Sequence, residues 1–212
     1  MAATSVNHPL FARCYARVSR VVEKRGLAVH REALLEGLSG QVIEVGAGNG
    51  LNFAHYPSTV TRVLAIEPEP RLRHLASAAA VRAPVPVEVR DGLAEHLPAA
   101  DGTFDAAVVS LVLCSLPDPH AGLLQMRRVL APGGQLRFLE HVRADSAGMR
   151  RVQDLLDATV WPHLAGGCHT GRDSALVIQR AGFTITALER FLLPSVRTPM
   201  SFLIRGTAHP AA

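Results

Sequence analysis

Cysteine and aromatic residues are scarce in this sequence. Its three cysteines, Cys14, Cys114 and Cys168, are too few and too widely spaced to form a disulfide framework. Phe, Tyr and Trp together make up 5% of the residues, so a surface on which nucleic-acid bases stack is not expected. The cysteine usage is typical of a reducing compartment, and we expect the protein to be cytoplasmic.

Long apolar runs and clusters of one charge are also missing. The longest apolar run, FDAAVVSLVLCSL, is too short to cross a bilayer. Arg13 and Arg17 interrupt the stretch that would have to form the core of a secretory signal. The formal charge is +4, with 22 Lys and Arg against 18 Asp and Glu, and the arginines are scattered along the chain. Nucleic acid is therefore not an expected partner.

Apolar runs of strand length alternate with stretches of helical spacing. Strands are expected near 41–46, 61–67, 85–90, 104–113 and 135–141. Helices are expected near 27–38, 70–82, 119–130, 148–160 and 173–181. Because strands alternate with helices, the sequence predicts an α/β fold with a doubly wound parallel sheet. The length is that of one domain, which we place at 1–212 with an N-terminal helical cap at 1–39.

The two ends of the chain depart from this alternation. The closing strands FTITALERF and MSFLIRGTA predict a hairpin through a turn that contains Pro194. At the other end, residues 9–23 form an amphipathic helix with Asn7 as a candidate cap. Its apolar face would carry Phe11, Cys14, Tyr15, Val18, Val21 and Val22, and its basic face Arg13, Arg17, Arg20 and Lys24. Packing on the domain is the favoured interpretation, and contact with a membrane surface is the alternative.

The segment VIEVGAGNG follows the first expected strand and carries Gly46, Gly48 and Gly50. Residues without a Cβ let the backbone adopt positive φ and let a ligand approach closely. A dinucleotide fingerprint needs its third glycine one place later, where this chain has Leu51, so the spacing points away from NAD. Glycine turns after strands are also common for purely structural reasons, and the loop alone does not name a ligand.

Acidic residues give the glycine loop a chemical context. Glu67 ends the second strand about 20 residues after Gly46, where a carboxylate can accept both hydroxyls of a ribose. Asp91 follows the third strand and is placed to accept from an adenine amine. Glu44 lies within the buried first strand, where an unpaired carboxylate is costly, so a cationic ligand group is its candidate partner. Glu69 lies outside the strand and is interpreted as a solvated carboxylate.

These segments resemble the class I S-adenosylmethionine-dependent methyltransferases over nearly the whole chain. VIEVGAGNG is similar to their first motif, VLAIEP to their ribose-binding strand, DGLAEHLP to their adenine rim, FDAAVVSLVLCSL to their fourth strand, and RVLAPGGQLRFLEHV to their fifth. The resemblance implies S-adenosylmethionine as cofactor. It also implies a Rossmann-like sheet of seven strands in the order 3-2-1-4-5-7-6, with the last strand antiparallel.

The resemblance further implies roles for individual residues. Those expected to line the methionine and ribose part are Gly46, Ala47, Gly48, Asn49 and Gly50, with Glu44 near the amino group. Those expected around the nucleoside are Glu67 and Pro68 at the ribose and Asp91, Gly92 and Leu93 at the adenine. Ser110 and Leu111 would face the sulfonium, and Tyr15 with Phe11 is a candidate lid, for which ordinary helix packing is an equal alternative.

A narrower resemblance is to the membrane-associated animal alkyl-thiol methyltransferases. It is carried by LVLCSL, RVLAPGG, LEHV and DATVWPHLAGGCHTGRDSALVIQRAGF, and it implies methylation of a thiol. The N-terminus departs from that pattern, because those proteins have a long apolar anchor where this chain has the arginine-rich helix 9–23. A membrane location and a preference for lipophilic acceptors are therefore left open.

The candidates for catalysis lie in two C-terminal segments. His141 is the candidate base at the end of the fifth strand, and Glu140 alternates with it, so only one of the two can face the crevice. The stretch 143–172 would form the acceptor side, with Trp161 and His163 as its wall and His169 as a polar contact. A metal site built from His163, Cys168 and His169 is disfavoured, because no fourth ligand is evident, and no metal is expected.

Several functions remain in competition. The leading hypothesis is S-methylation of a small-molecule thiol by in-line methyl transfer. The alternatives with the same cofactor are N-methylation of a phospholipid amine head group and C- or O-methylation of a quinone-like or natural-product acceptor. A non-catalytic cofactor-binding domain and an NAD-dependent oxidoreductase are more distant, and the oligomeric state is undetermined.

Overall fold

A single seven-stranded sheet organises the protein in its computed structural model, which describes residues 9–193 and 197–211 except the side chain of Leu10. The strands are β1 (Gly40–Val45), β2 (Val60–Ile66), β3 (Val87–Arg90), β4 (Phe104–Ser110), β5 (Leu130–His141), β6 (Phe183–Leu192) and β7 (Phe202–Pro210). Their order in the sheet is β3-β2-β1-β4-β5-β7-β6. The first five strands are parallel, whereas β7 runs antiparallel to both β5 and β6. The predicted fold class and strand order are confirmed.

Helices cover both faces of the sheet. They are α1 (Pro9–Val22), α2 (Ala28–Leu35), α3 (Pro70–Ala80), α4 (Pro119–Val129), α5 (Ala147–Asp157), α6 (Trp161–Leu164) and α7 (Ser174–Arg180). On one face α4 and α7 bury Leu123, Met126 and Ile178 against the strands, and on the other α2 and α3 bury Leu34, Leu35 and Ala76. Each of β1, β2 and β4 therefore presents buried side chains to both sides, which is why these strands read as continuous apolar runs.

The predicted helix 27–38 is divided differently in the structure. A kinked segment, Glu23–Leu27, joins α1 to α2, and Gly26 within it has a non-helical φ of 123°. This conformation strongly favours glycine. The helix α2 ends at Leu35, and Asn7 and the turn at Pro194 lie outside the described residues.

The inner face of α1 differs from the predicted one. Cys14 is exposed, as are Val18 and Val21 at 52% and 48%. The buried positions are instead Ala12, Ala16 and Ser19, of which the two alanines pack with Leu72 of α3. Small residues let two helices approach closely, so the alanines rather than the larger valines form the contact. In the described part of the chain, no helix is long and apolar enough to span a membrane.

Candidate cofactor and acceptor site

The loop after β1 depends on its glycines. Gly46, Gly48 and Gly50 have φ values of 73°, 58° and 76°. A Cβ on Gly46 would lie 2.5 Å from Val112, and one on Gly50 would lie 2.8 Å from the ring of Phe53. Positive φ and lack of space both exclude larger residues at these positions, so the loop passes close to Val112 and Phe53 at the carboxyl edge of the sheet.

Glu67 is joined directly to the glycine loop. Its Oε2 accepts a hydrogen bond of 2.7 Å from the backbone N–H of Gly48, and its Oε1 accepts one of 2.9 Å from that of Glu69. The side chain is buried, which raises its pKa to about 7 although the two N–H donors oppose this shift. Each carboxylate oxygen has two lone-pair sites. One site on each oxygen is thus left for a donor from a ligand.

Glu69 is not the solvated carboxylate that the sequence suggested. It is buried, and its Oε2 accepts a hydrogen bond of 2.7 Å from the backbone N–H of Leu72. Glu69 is therefore the N-cap of α3, which begins with Pro70. A carboxylate at this position satisfies a free N–H group and interacts favourably with the helix dipole.

Glu44 finds its partners within the chain. Tyr56 donates its hydroxyl to Oε2 at 2.6 Å, and the side-chain amide of Asn52 donates to Oε1 at 3.0 Å. Burial raises the pKa of Glu44 to about 7, and these two donors and the charge of Arg31 oppose the shift. The cost of a carboxylate within a buried strand is thus offset by protein groups before any ligand binds.

Arg31 is a residue of this site that sequence reasoning missed. The side chain is 4% exposed. Its Nε donates to Glu23 Oε2 at 2.9 Å, and its Nη1 donates to Asn52 Oδ1 and Ser110 Oγ, both at 2.8 Å. A signal was available, because residue 31 lies on the helix face that carries the buried Leu27 and Leu35. An arginine on such a face implies a buried ionic partner.

The adenine rim predicted after β3 is fixed by Arg73. Its Nη1 donates to the carbonyls of Glu67 and Pro68 at 2.8 Å and to Asp91 Oδ1 at 3.1 Å. The Asp91 side chain is 70% exposed, so it lies at the edge of the crevice. Next to Asp91, a Cβ added to Gly92 would lie 3.0 Å from the side chain of Ile66. The following residue, Leu93, forms a single antiparallel β-bridge with His96.

The strand β4 ends at Ser110, three residues earlier than predicted. Leu111 has a φ of 60° and is the one non-glycine residue with positive φ in the described ranges. The N–H groups of Val112, Leu113 and Cys114 then turn inward and donate to Glu140 at 2.9, 3.0 and 3.3 Å. The pattern of apolar residues could not reveal this turn, because a carboxylate of a neighbouring strand supplies its acceptor.

Of the two residues that end β5, Glu140 supports the turn after β4. Glu140 is fully buried, which raises its pKa to about 7 against the effect of its three N–H donors. His141 lies near the entry of β7 at Met200 and Phe202, and its Nδ1 has no hydrogen-bond partner among the described residues. Burial lowers the pKa of His141 to about 4. The imidazole is therefore neutral at pH 7 and a weak base.

The segment around Cys168 packs against the same turn. The backbone N–H of His169 donates to the carbonyl of Cys114 at 2.8 Å, and its Nδ1 lies 2.8 Å from the carbonyl of Gly167. Trp161 has a buried Nε1 that interacts with the thiol of Cys168, whereas His163 is exposed. Of the two residues predicted to form the wall, only Trp161 is thus partly enclosed.

The helix α1 closes over these elements. Tyr15 lies against Gly48, where an added Cβ would be 3.4 Å from its ring, and Asn49 Nδ2 donates to Ser19 Oγ at 3.2 Å. Phe11 packs against Gly166 so closely that a Cβ there would be 2.6 Å from the ring. The same helix therefore covers the glycine loop with one aromatic ring and contacts the C-terminal segment with the other.

The chain is similar to known proteins over most of its length. Residues 43–138 match a methyltransferase domain family. The chain is 33% identical to the thiol S-methyltransferase TMT1B of Homo sapiens, with 82% of the chain and 73% of that protein covered. It is 37% identical to TMT1B of Mus musculus over 73% of the chain, and the match spans 65% of the length of that relative.

The fold has close counterparts among solved structures. A SAM-dependent methyltransferase from Thermotoga maritima superimposes with a TM-score of 0.67 at 22% identity, covering 93% of this chain and 97% of the other. At this identity the likeness concerns the fold. The sequence similarity to the human relative carries the assignment further: the chain belongs to the class I S-adenosylmethionine-dependent methyltransferases and, within them, is similar to the thiol S-methyltransferases.

Proposed function

We propose that this enzyme transfers the methyl group of S-adenosylmethionine to the sulfur of a small thiol. The supporting observation is the extent of the similarity to the human thiol S-methyltransferase. It covers 82% of the chain and so reaches well beyond residues 43–138, which match the methyltransferase domain. In this fold the acceptor is bound by segments outside the cofactor loops, and we assign the stretch 143–172 to the acceptor side.

The residues present fit the cofactor. The loop of Gly46, Ala47, Gly48, Asn49 and Gly50 has positive φ at its three glycines, a backbone conformation that lets a ligand approach closely. Glu67 has one free lone-pair site on each oxygen for the two ribose hydroxyls, and Asp91 with Gly92 and Leu93 borders the adenine. S-adenosylmethionine supplies an electrophilic methyl group on a positively charged sulfur.

We assign the carboxylate of the amino-acid tail to Arg31. Its Nη2 makes no hydrogen bond with the described residues, while Nε and Nη1 are already engaged. A buried guanidinium with a free edge is suited to a carboxylate. Glu44 accepts a hydrogen bond from Asn52, which in turn accepts one from Arg31. The carboxylate of Glu44 provides negative charge for the amino group of the tail.

A thiol acceptor fits the weak basicity of the site. A thiol has an ordinary pKa of about 8.5 and is partly ionised near neutral pH. His141, whose pKa is lowered to about 4, is a poor acceptor for that proton. The protein then mainly aligns the thiolate, the methyl carbon and the leaving sulfur, and Ser110 with the turn at Leu111 fixes the sulfonium side. A hydroxyl acceptor would need a positioned base of higher pKa.

The test is a panel of acceptors that differ in one atom. Purified enzyme receives S-adenosylmethionine with alkyl and aryl thiols, with the corresponding alcohols, with vesicles of phosphatidylethanolamine, and with a hydroquinone. We expect the thiols to be methylated and the alcohols of the same shape to remain unmethylated. The controls are Glu67→Ala, which removes the ribose contact, and Glu88→Ala, which removes an exposed carboxylate on β3.

Each other outcome would redirect the assignment. Methylation of the lipid amine or of the ring, without methylation of any thiol, would replace the thiol by that acceptor. A wild-type enzyme that binds S-adenosylhomocysteine but methylates none of the thiols would remove the proposal while leaving the family assignment intact.

A further inference from the structure

Two thiols from distant parts of the chain meet beside the proposed acceptor side. Cys114 Sγ and Cys168 Sγ are 3.7 Å apart, although the residues are separated by 54 positions. Both cysteines are reduced and buried, with 1% and 8% of their surface exposed. The third cysteine, Cys14, is exposed on α1. Only the first two are therefore placed to react with each other.

The backbone around the pair is already held in place. The carbonyl of Cys114 accepts from the N–H of His169, and Arg172 Nη1 donates to the carbonyl of Leu116 at 2.9 Å. A Cβ on Gly167 would lie 2.8 Å from the carbonyl of Ser115. A disulfide needs sulfurs about 2.05 Å apart, so the two sulfurs, which are 3.7 Å apart, have to approach by about 1.7 Å to form one.

We propose that Cys114 and Cys168 form a reversible dithiol–disulfide pair that fastens the segment 165–172 to the turn 111–116 when the protein meets a peroxide. The Cys168 thiolate attacks one peroxide oxygen, forms a sulfenic acid and releases hydroxide, which takes up a proton as water. The sulfur of Cys114 then attacks the sulfenic sulfur, the S–S bond forms, and a second water leaves with the thiol proton. Two thiols and one hydrogen peroxide thus give one disulfide and two waters.

The surroundings favour Cys168 as the attacking thiol. The contact between the two thiols lowers the pKa of Cys168, although burial opposes the shift, and the same contact raises the pKa of Cys114. Cys168 is also the more exposed of the two. The inference concerns the chain's own thiols and holds whether or not the methyl acceptor is a thiol.

The experiment uses a Cys14→Ser variant, so that the exposed thiol does not contribute. This protein is treated with hydrogen peroxide, quenched with catalase, unfolded, and alkylated with N-ethylmaleimide before its intact mass is measured. We expect the untreated protein to take up two alkyl groups and the treated protein none, with a loss of about 2 Da that dithiothreitol reverses. Replacing Cys114 or Cys168 by Ala in this background should abolish the loss.

A second measurement on the same chain needs no substitution of a buried residue. Amide hydrogen exchange in 111–116 and 165–172 should slow on oxidation, while exchange in 46–50 and the affinity for S-adenosylhomocysteine stay within about twofold. Two alkyl groups retained after treatment, or a gain of about 32 Da that marks a sulfinic acid on one cysteine, would overturn the pairing.

Discussion

The backbone N–H of Gly48 donates a hydrogen bond of 2.7 Å to the carboxylate of Glu67. This bond ties the loop after β1 to the end of β2, so that the glycine backbone and the carboxylate that we propose for the ribose keep one relative position. Because Glu67 is buried and uses one lone-pair site of each oxygen for backbone donors, it is oriented before the ligand arrives.

Glu67→Gln is expected to weaken binding of S-adenosylhomocysteine by about 10- to 100-fold, since hydrogen bonds to a charged group contribute about 1.5–3 kcal/mol. Isothermal titration calorimetry measures the change. Glu88→Gln, on an exposed position of β3, should leave the affinity unchanged. Equal affinity of wild type and Glu67→Gln would remove Glu67 from the ribose site.

Binding of S-adenosylhomocysteine should tighten as the pH rises from 6 to 8. The pKa of Glu67 is about 7 in the free protein, and the ionised carboxylate is the better acceptor for two ribose hydroxyls. The affinity then rises by at most about tenfold per pH unit below pH 7 and levels off above it. In Glu67→Gln the same titration should keep only the smaller rise that Glu44 contributes, because the pKa of Glu44 is also about 7. A wild-type profile no steeper than that of the variant would contradict the assignment.

Stability should depend on pH through Glu140. The pKa of this group is about 7 in the folded protein against an ordinary value of 4.5. Between these values the folded state keeps a proton that the unfolded state has lost, so the contribution of Glu140 is fully present below pH 4.5 and is lost as pH rises towards 7. The free energy of unfolding then falls by at most about 1.4 kcal/mol per pH unit.

Urea denaturation at several pH values isolates this contribution by the difference between wild type and Glu140→Gln. His141 acts in the opposite direction, because its pKa of about 4 in the folded state makes stability fall as pH drops below about 6.5. His141 is present in both proteins, so its contribution to the free energy of unfolding cancels in the difference. A difference that does not vary between pH 5 and 7 would mean that Glu140 titrates in its ordinary range.

Arg31→Lys should weaken the binding of S-adenosylhomocysteine more than the binding of 5′-methylthioadenosine, which lacks the amino-acid tail. The ammonium keeps the charge but cannot reproduce the planar fork, so we expect a loss of about 10-fold or more for the first ligand and within about twofold for the second. Equal losses for both ligands would show that Arg31 acts on the fold alone and not on the tail.

Tyr15→Ala should speed the release of S-adenosylhomocysteine by about 10-fold, because α1 loses the ring that lies over Gly48. Stopped-flow displacement of a bound ligand reports the release rate directly. Val18→Ala, at an exposed position of the same helix, is the matched control. If both variants release the ligand as slowly as wild type, α1 packs on the domain without covering the cofactor.

The sequence predicts the sheet well because buried parallel strands leave an unmistakable apolar pattern. It also places the glycine loop, since positive φ at Gly46, Gly48 and Gly50 leaves little other choice of residue. The cofactor motifs are short and local in the chain, and their order along it fixes which strand ends meet.

What the sequence does not predict depends on contacts between distant segments. Arg31 joins Asn52 and Ser110, and Glu140 satisfies three N–H groups of the turn after β4. The helix face of Arg31 indicates that its side chain is buried, but the spacing of residues identifies the partners of neither Arg31 nor Glu140. The role of Glu69 also depends on a contact, because a carboxylate before a proline can be either solvated or a helix cap, and the N–H of Leu72 decides between them.

The most direct test of the account is the position of the transferred methyl group. S-adenosylmethionine with a trideuterated methyl group is supplied together with a mercaptoalcohol, which offers one sulfur and one oxygen in the same small molecule. Mass spectrometry of the product fragments should place the label on sulfur, and Glu67→Ala should give none above background. Label on oxygen, or an unlabelled mercaptoalcohol beside an enzyme that still binds S-adenosylhomocysteine, would contradict the proposed thiol S-methylation.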